Sequence, residues 1–270
     1  MRTLQSKSQT LTDKKIRIPR LQRGLWKRGS SAGILMLLAV ALSGCLYPGG
    51  EEAGGPASYS DSVRRVQGAL DDYYSDKSVL PILNADETVP RYEKFRINLD
   101  QLKQTGYLDD IPAAAFERGG RVYFLVQNEE KNPTVKVMDL LTVQKVNDIQ
   151  RLVDRYKSAN GGAIPAGTER YPGVYEVDKE LADAGKLTVD SVYSGRPLDM
   201  VLDARGVVYV DYAPDIITAS QQEEGSLTKD GDARELLTGA SDHVPVKSLP
   251  YVWEGEAPVA VPDTGETTGD

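Results

Sequence analysis

Cysteine and histidine occur once each in this chain, at Cys45 and His243, and that scarcity removes several kinds of chemistry at once. A disulfide within one chain needs two cysteines. Zinc sites made of His and Cys fail on the same count. His243 stands beside Asp242 in a Gly-, Thr-, Glu- and Pro-rich stretch, residues 219–270, a composition that predicts a largely disordered acidic tail. A Ser-His-Asp or Cys-His device therefore has no expected base inside the fold. Neither Gly-x-x-x-x-Gly-Lys-Ser/Thr nor Gly-x-Gly-x-x-Gly occurs, so nucleotide cradles are not indicated. Ser226-Leu227-Thr228-Lys229 matches Ser-x-x-Lys but lacks the Ser-Asp-Asn and Lys-Thr-Gly partners and reads as chance. Asp71, Asp72, Asp76, Asp109 and Asp110 do not follow calcium-loop spacing. Asp71 and Asp72 fall on the polar side of a helix and read as a solvated face. No cofactor and no catalytic residue are indicated.

A membrane-crossing run is also missing. The longest apolar stretch, Gly33 to Leu42, is ten residues, where a helical span takes about 20. Nine basic residues and one acid, Asp13, lie between Met1 and Gly44. That charge order, followed by a short apolar segment, is a secretory signal. Leu42-Ser43-Gly44-Cys45 follows at once and resembles the lipobox of bacterial lipoproteins. The resemblance implies signal-peptidase recognition of Leu42, Ser43 and Gly44, and a diacylglyceryl group on the Cys45 thiol. Residues 1–44 are thus the expected signal peptide, and the expected location is the outer face of the bacterial cytoplasmic membrane.

Removing that segment takes away nine basic residues and one acid, which moves the formal charge from −8 to −16. A body this acidic does not bind nucleic acid or anionic headgroups through bulk charge. Attachment then rests on acyl chains, each buried methylene contributing about 0.8 kcal/mol. Residues 45–59 are Gly-, Pro- and Glu-rich and read as a flexible tether.

The body predicted between tether and tail is α+β, built of two tandem repeats at 60–140 and 141–218, each a helix, long loop, short helix and antiparallel hairpin. Val63, Val66, Leu70 and Tyr73 make one helical face after Asp61, taken as a cap. Val146, Ile149, Val153 and Tyr156 repeat its spacing, and Val66-Gln67 is answered by Ile149-Gln150. Leu80-Pro81 answers to Ile164-Pro165, Leu99-Asp100 to Val177-Asp178, Leu102 to Leu181, and Gly106-x-Leu108 to Gly185-x-Leu187. Gly120-Arg121 and Gly195-Arg196 then lead into hairpins expected at 122–138 and 198–212. Tyr73, Tyr156 and Tyr209 fit core positions. Strands without crossover helices argue for antiparallel sheet.

The run Asn132 to Leu140, the strand Val208 to Tyr212 and the tyrosine-containing loops resemble the YphF-type lipoproteins of spore-forming Gram-positive bacteria, over residues 45 to about 217. Such proteins are sometimes labelled as binding components of ABC importers. A fainter similarity joins Ala69-Leu70-x-x-Tyr73, Leu80-Pro81, Gly106-Tyr107-Leu108 and Pro112 to the globular part of type II secretion pseudopilins, which lack a lipobox. The leading expectation is a non-enzymatic lipoprotein that binds an envelope protein or a cell-wall component. Two alternatives stand beside it: a solute-binding lipoprotein of an ABC importer, and a carboxylate-dependent wall hydrolase, for which two acids suffice chemically.

Overall fold

Each long helix of this protein buries one apolar stripe against an antiparallel hairpin, which shields both apolar faces from water. The computed structural model describes residues 56–185, 187–222 and 231–262. The signal segment, Leu42, Ser43, Gly44, Cys45 and Ser226-Leu227-Thr228-Lys229 lie outside the described residues.

Helix α1 (Pro56–Lys77) begins on proline, whose fixed φ suits a first helical turn. It buries Val63, Val66, Leu70 and Tyr73. Asp61 lies inside this helix and pairs with Arg64 at its surface, so it is not the cap. Residues 56–59 likewise belong to the body rather than the tether. Helix α2 (Leu99–Gln104) is capped by Asn98, which accepts from the Gln101 N–H. Strands β1 (Val122–Gln127) and β2 (Thr134–Asp139) pair antiparallel, Val122 opposite Asp139. Phe124, Val126, Val135 and Val137 pack with the α1 stripe in one core.

Asp139 ends β2 and caps helix α3 (Leu140–Ala159), accepting from the Thr142 N–H. Its buried stripe, Val146, Ile149 and Val153, enters a second core. Strands β3 (Ala166–Tyr171), β4 (Val174–Val177), β7 (Met200–Asp203) and β8 (Val208–Val210) form a four-stranded sheet in the order β3-β4-β7-β8, all neighbours antiparallel. The short pair β5 (Val189–Asp190) and β6 (Pro197–Leu198) lies between them in sequence. Helix α4 (Ala213–Gln222), helix α5 (Glu235–Ala240) and the hairpin β9 (Tyr251–Glu254) with β10 (Ala257–Ala260) complete the chain. The class is α+β with antiparallel sheets. Among the described residues no helix is long and apolar enough to cross a membrane.

The tail is where expectation and structure part most clearly. Residues 231–262 are folded, and Val244, Val246, Leu249, Tyr251 and Ala260 are buried. The apolar residues of this segment are thinly spaced in sequence, yet they meet surfaces already present. Val244 and Val246 pack with Leu125 and Met138 on the face of the first hairpin that α1 does not cover. Leu249, Tyr251 and Ala260 join the second core.

Both long helices hold their hairpins through a glutamine. Gln67 Nε2 donates to the Pro133 carbonyl at 3.0 Å and to Asp71 at 2.8 Å, while its Oε1 accepts from the Val135 N–H at 2.7 Å. Gln150 Nε2 donates to the Gly206 carbonyl at 2.9 Å and to Asp154 at 2.9 Å, and its Oε1 accepts from the Val208 N–H at 2.7 Å. The Asn98 N–H donates to the Pro81 carbonyl as the Asp178 N–H does to that of Pro165.

Other expected correspondences shift or fail. Asn98 and Asp178 each accept from the backbone N–H three residues on, a likeness that Leu99-Asp100 does not share with Val177-Asp178. Leu102 is buried while Leu181 is half exposed, and Ala182 fills the interior instead. Gly106 turns left-handed at φ 83°, as does Asp183 at φ 56°, whereas Gly185 does not. The long loop of the second half is a hairpin, β3–β4, turning at Pro172-Gly173 with Gly173 at φ 73°. Turns replace its short helix. Tyr73 is buried, but Tyr156 and Tyr209 are only half-buried.

Candidate functional site

The end of β2 and the start of α3 leave a gap beside the first turn of α1, and the C-terminal segment runs along it. Residues 242–244 lie parallel to β2: the Val137 N–H donates to the Asp242 carbonyl at 2.8 Å, and the Val244 N–H to the Val137 carbonyl at 3.0 Å. A cleft of about 540 Å³ opens there. Tyr59 and Ser60 of α1 line it, with Arg121 before β1 and with Lys136 and Asp139 of β2. Leu141 of α3, Asp190 of β5, Val192 and residues 239–243 complete the lining.

His243 is the central group. Its ring meets Tyr59 edge-on, centroids 5.4 Å apart. Burial holds its pKa below the ordinary imidazole value, against the opposing pull of Asp139 and Asp242. Burial, then Asp139, raises the Tyr59 hydroxyl, with Arg121 opposing. Burial lowers Lys136, which Asp242 partly offsets, and its ammonium donates to the Ser241 carbonyl at 2.8 Å.

The three carboxylates each have local work. Asp139 accepts from the Thr142 N–H and hydroxyl, both at 2.7 Å. Asp242 accepts from the Ser60 hydroxyl at 2.7 Å. Asp190 pairs with Lys145 at 3.5 Å. The Ser60 hydroxyl is thus aimed at a carboxylate, not at the imidazole, which is not the arrangement that activates a serine nucleophile. Among the described residues no group of three His, Cys, Asp or Glu side chains could hold a metal ion.

The sequence reading placed its functional residues at 42–45, outside the described residues, and missed this cleft. Its one legible signal is Asp242-His243 directly before the Val244-Pro245-Val246 run, apolar residues that bind the pair to the body. Asp71 and Asp72 are exposed as expected, and Asp109 and Asp110 are exposed too. Asp110 is held by Lys103 and Arg118, and the Lys103 hydrogen bond lowers its pKa first.

These features define an α+β protein of helix-on-hairpin construction with a cleft closed by its C-terminal segment. Residues 59–139 match the YphF family N-terminal domain. The match runs from α1 to the last residue of β2, and its first and last residues, Tyr59 and Asp139, both line the cleft. No curated protein and no solved structure matches the chain.

Proposed function

We propose that this is a lipid-anchored, extracytoplasmic binding protein whose cleft beside His243 receives an envelope partner. The observation that carries the reading is the position of that cleft at the first turn of α1. Ten residues, 46–55, lie between Cys45 and helix α1, and a chain of that length reaches at most about 40 Å. An acyl group on Cys45 therefore holds the start of α1 within that reach of the bilayer. The basic segment, the short apolar run and Leu42-Ser43-Gly44-Cys45 support the anchor itself. The committed carboxylates and the unactivated Ser60 favour binding over hydrolysis.

The two glutamine clamps support a further part of the proposal, that residues 60–140 and 141–218 descend from one duplicated unit. The second copy has traded its loop for the β3–β4 hairpin.

Replacing Cys45 by Ala tests the anchor. The expected result is a precursor that keeps residues 1–44 and gains no diacylglyceryl mass, because no other thiol can accept it. Intact-mass spectrometry with membrane fractionation reads both. Cleavage before residue 45 and detergent-dependent membrane retention in the variant would refute the assignment.

A further inference from the structure

A second cleft, of about 620 Å³, lies at the far end of the first hairpin. Its walls are held in an unusual backbone. Phe95 and Asn128 both take the left-handed conformation, at φ 55° each, and a bulky side chain adopts that region only under constraint. The constraint is visible: the Val126 N–H donates to the Phe95 carbonyl and the Ile97 N–H to the Phe124 carbonyl, each at 2.9 Å. Residues 95–97 are thereby fastened to the edge of β1, and Phe95 stays partly exposed at the cleft wall. Strain held in place by surrounding structure collects at binding sites.

The polar lining is open for use. Gln127 is 95 % buried, being only 5 % exposed, and its Nε2 is spent on the Val126 and Arg91 carbonyls. Its Oε1 accepts from none of the described residues and borders the cleft. The Lys94 and Lys131 ammonium groups form no hydrogen bond or ion pair among the described residues, the Asn128 and Asn132 side-chain amides are likewise uncommitted, and Glu129 and Glu130 complete the charged lining.

We infer that this cleft binds a carboxylate-bearing saccharide. Phe95 lines the cleft among mixed donors and acceptors, and a sugar presents the complement: C–H groups on its face and hydroxyls around its rim. The two unpaired ammonium groups supply the carboxylate contact. An extended peptide is a poorer fit, because backbone already occupies the β1 edge where it would add as a strand. The inference is independent of the anchor at Cys45.

The test is saturation-transfer NMR on the full chain in detergent micelles, with N-acetylglucosaminyl-N-acetylmuramic acid as the acidic probe and chitobiose as its neutral counterpart. Both sugars should bind, the acidic one more tightly. The Lys94→Gln, Lys131→Gln double variant should weaken the acidic sugar by about 3- to 10-fold, the effect of two exposed charge contacts, and leave chitobiose within about twofold. Asn128→Gly should weaken both sugars without lowering the melting temperature, since glycine accepts a positive φ freely. No transfer to either sugar at millimolar concentration overturns the proposal. Binding that all three substitutions leave unchanged overturns it equally, by placing the sugar elsewhere.

Discussion

Replacing Gln150 by Ala should destabilise the protein by about 1–3 kcal/mol, and the sum comes from three hydrogen bonds. The β8 strand is an edge of its sheet, and the Val208 N–H is satisfied by Gln150 Oε1 at 2.7 Å. The same side chain donates to the Gly206 carbonyl and to Asp154. Each bond contributes about 0.5–1.5 kcal/mol net, and a buried donor left unpaired costs about 1–3 kcal/mol. Partial exposure lets water recover some of this, which sets the lower bound. Asp154→Ala removes only the outermost, exposed bond and should cost about 0.5 kcal/mol. Gln67→Ala removes the corresponding three bonds from the first hairpin and should match Gln150→Ala within about 1 kcal/mol. Urea melts with a constant m-value give the comparison. A Gln150→Ala variant within about 0.5 kcal/mol of the parent would show that the clamp holds nothing. A large effect at Gln150 with none at Gln67 would break the parallel between the two halves.

Ile149→Ala, at a site 1 % exposed, should cost about 2–5 kcal/mol as a cavity in the second core, and a neutral melt would contradict the packing of α3. His243 gives a pH signature: burial sets its folded pKa below the unfolded value, so the unfolded chain takes the proton first. Stability is then complete above about pH 6.5 and is lost as pH falls through that value toward the lower folded one. The stability difference between the parent and His243→Asn should therefore shift in favour of the variant between pH 7.5 and pH 5; a difference that stays flat would mean the imidazole is not desolvated.

Strong periodicity made the helices legible. The Val63 to Tyr73 and Val146 to Val153 stripes predicted α1 and α3, and β1 and β2 fell where alternation and the Gly120-Arg121 landmark placed them. What escaped was structure that depends on distant surfaces. The segment from Val244 to Ala260 is apolar only at intervals and folds because Leu125, Met138 and the second core present places for it. Local composition cannot report such a surface. The β3–β4 hairpin was a different failure. Tyr171-Pro172-Gly173-Val174 carries a turn signal, but an expected parallel with the loop of the first half hides it. The cleft was illegible for the first reason. Its members come from residues 59, 60, 121, 136, 139, 141, 190, 192 and 239–243, and only the docking of the C-terminal segment brings them together.

That docking ties the two ends of the described chain to one place. Ser60, in the first turn of α1, bonds to Asp242, and Tyr59 meets His243, while the same C-terminal strand pairs with β2 through Val137. A partner that enters the cleft touches α1, the first hairpin and residues 239–243 together. Such a partner binds only the docked arrangement, so its binding free energy adds to the stability of that arrangement by linkage. Under the proposed function, the C-terminal segment is the element whose docking both the partner and His243 protonation bias. The second core shares in the coupling, because Leu249, Tyr251 and Ala260 of the same segment pack into it and the Val210 N–H donates to the Lys247 carbonyl.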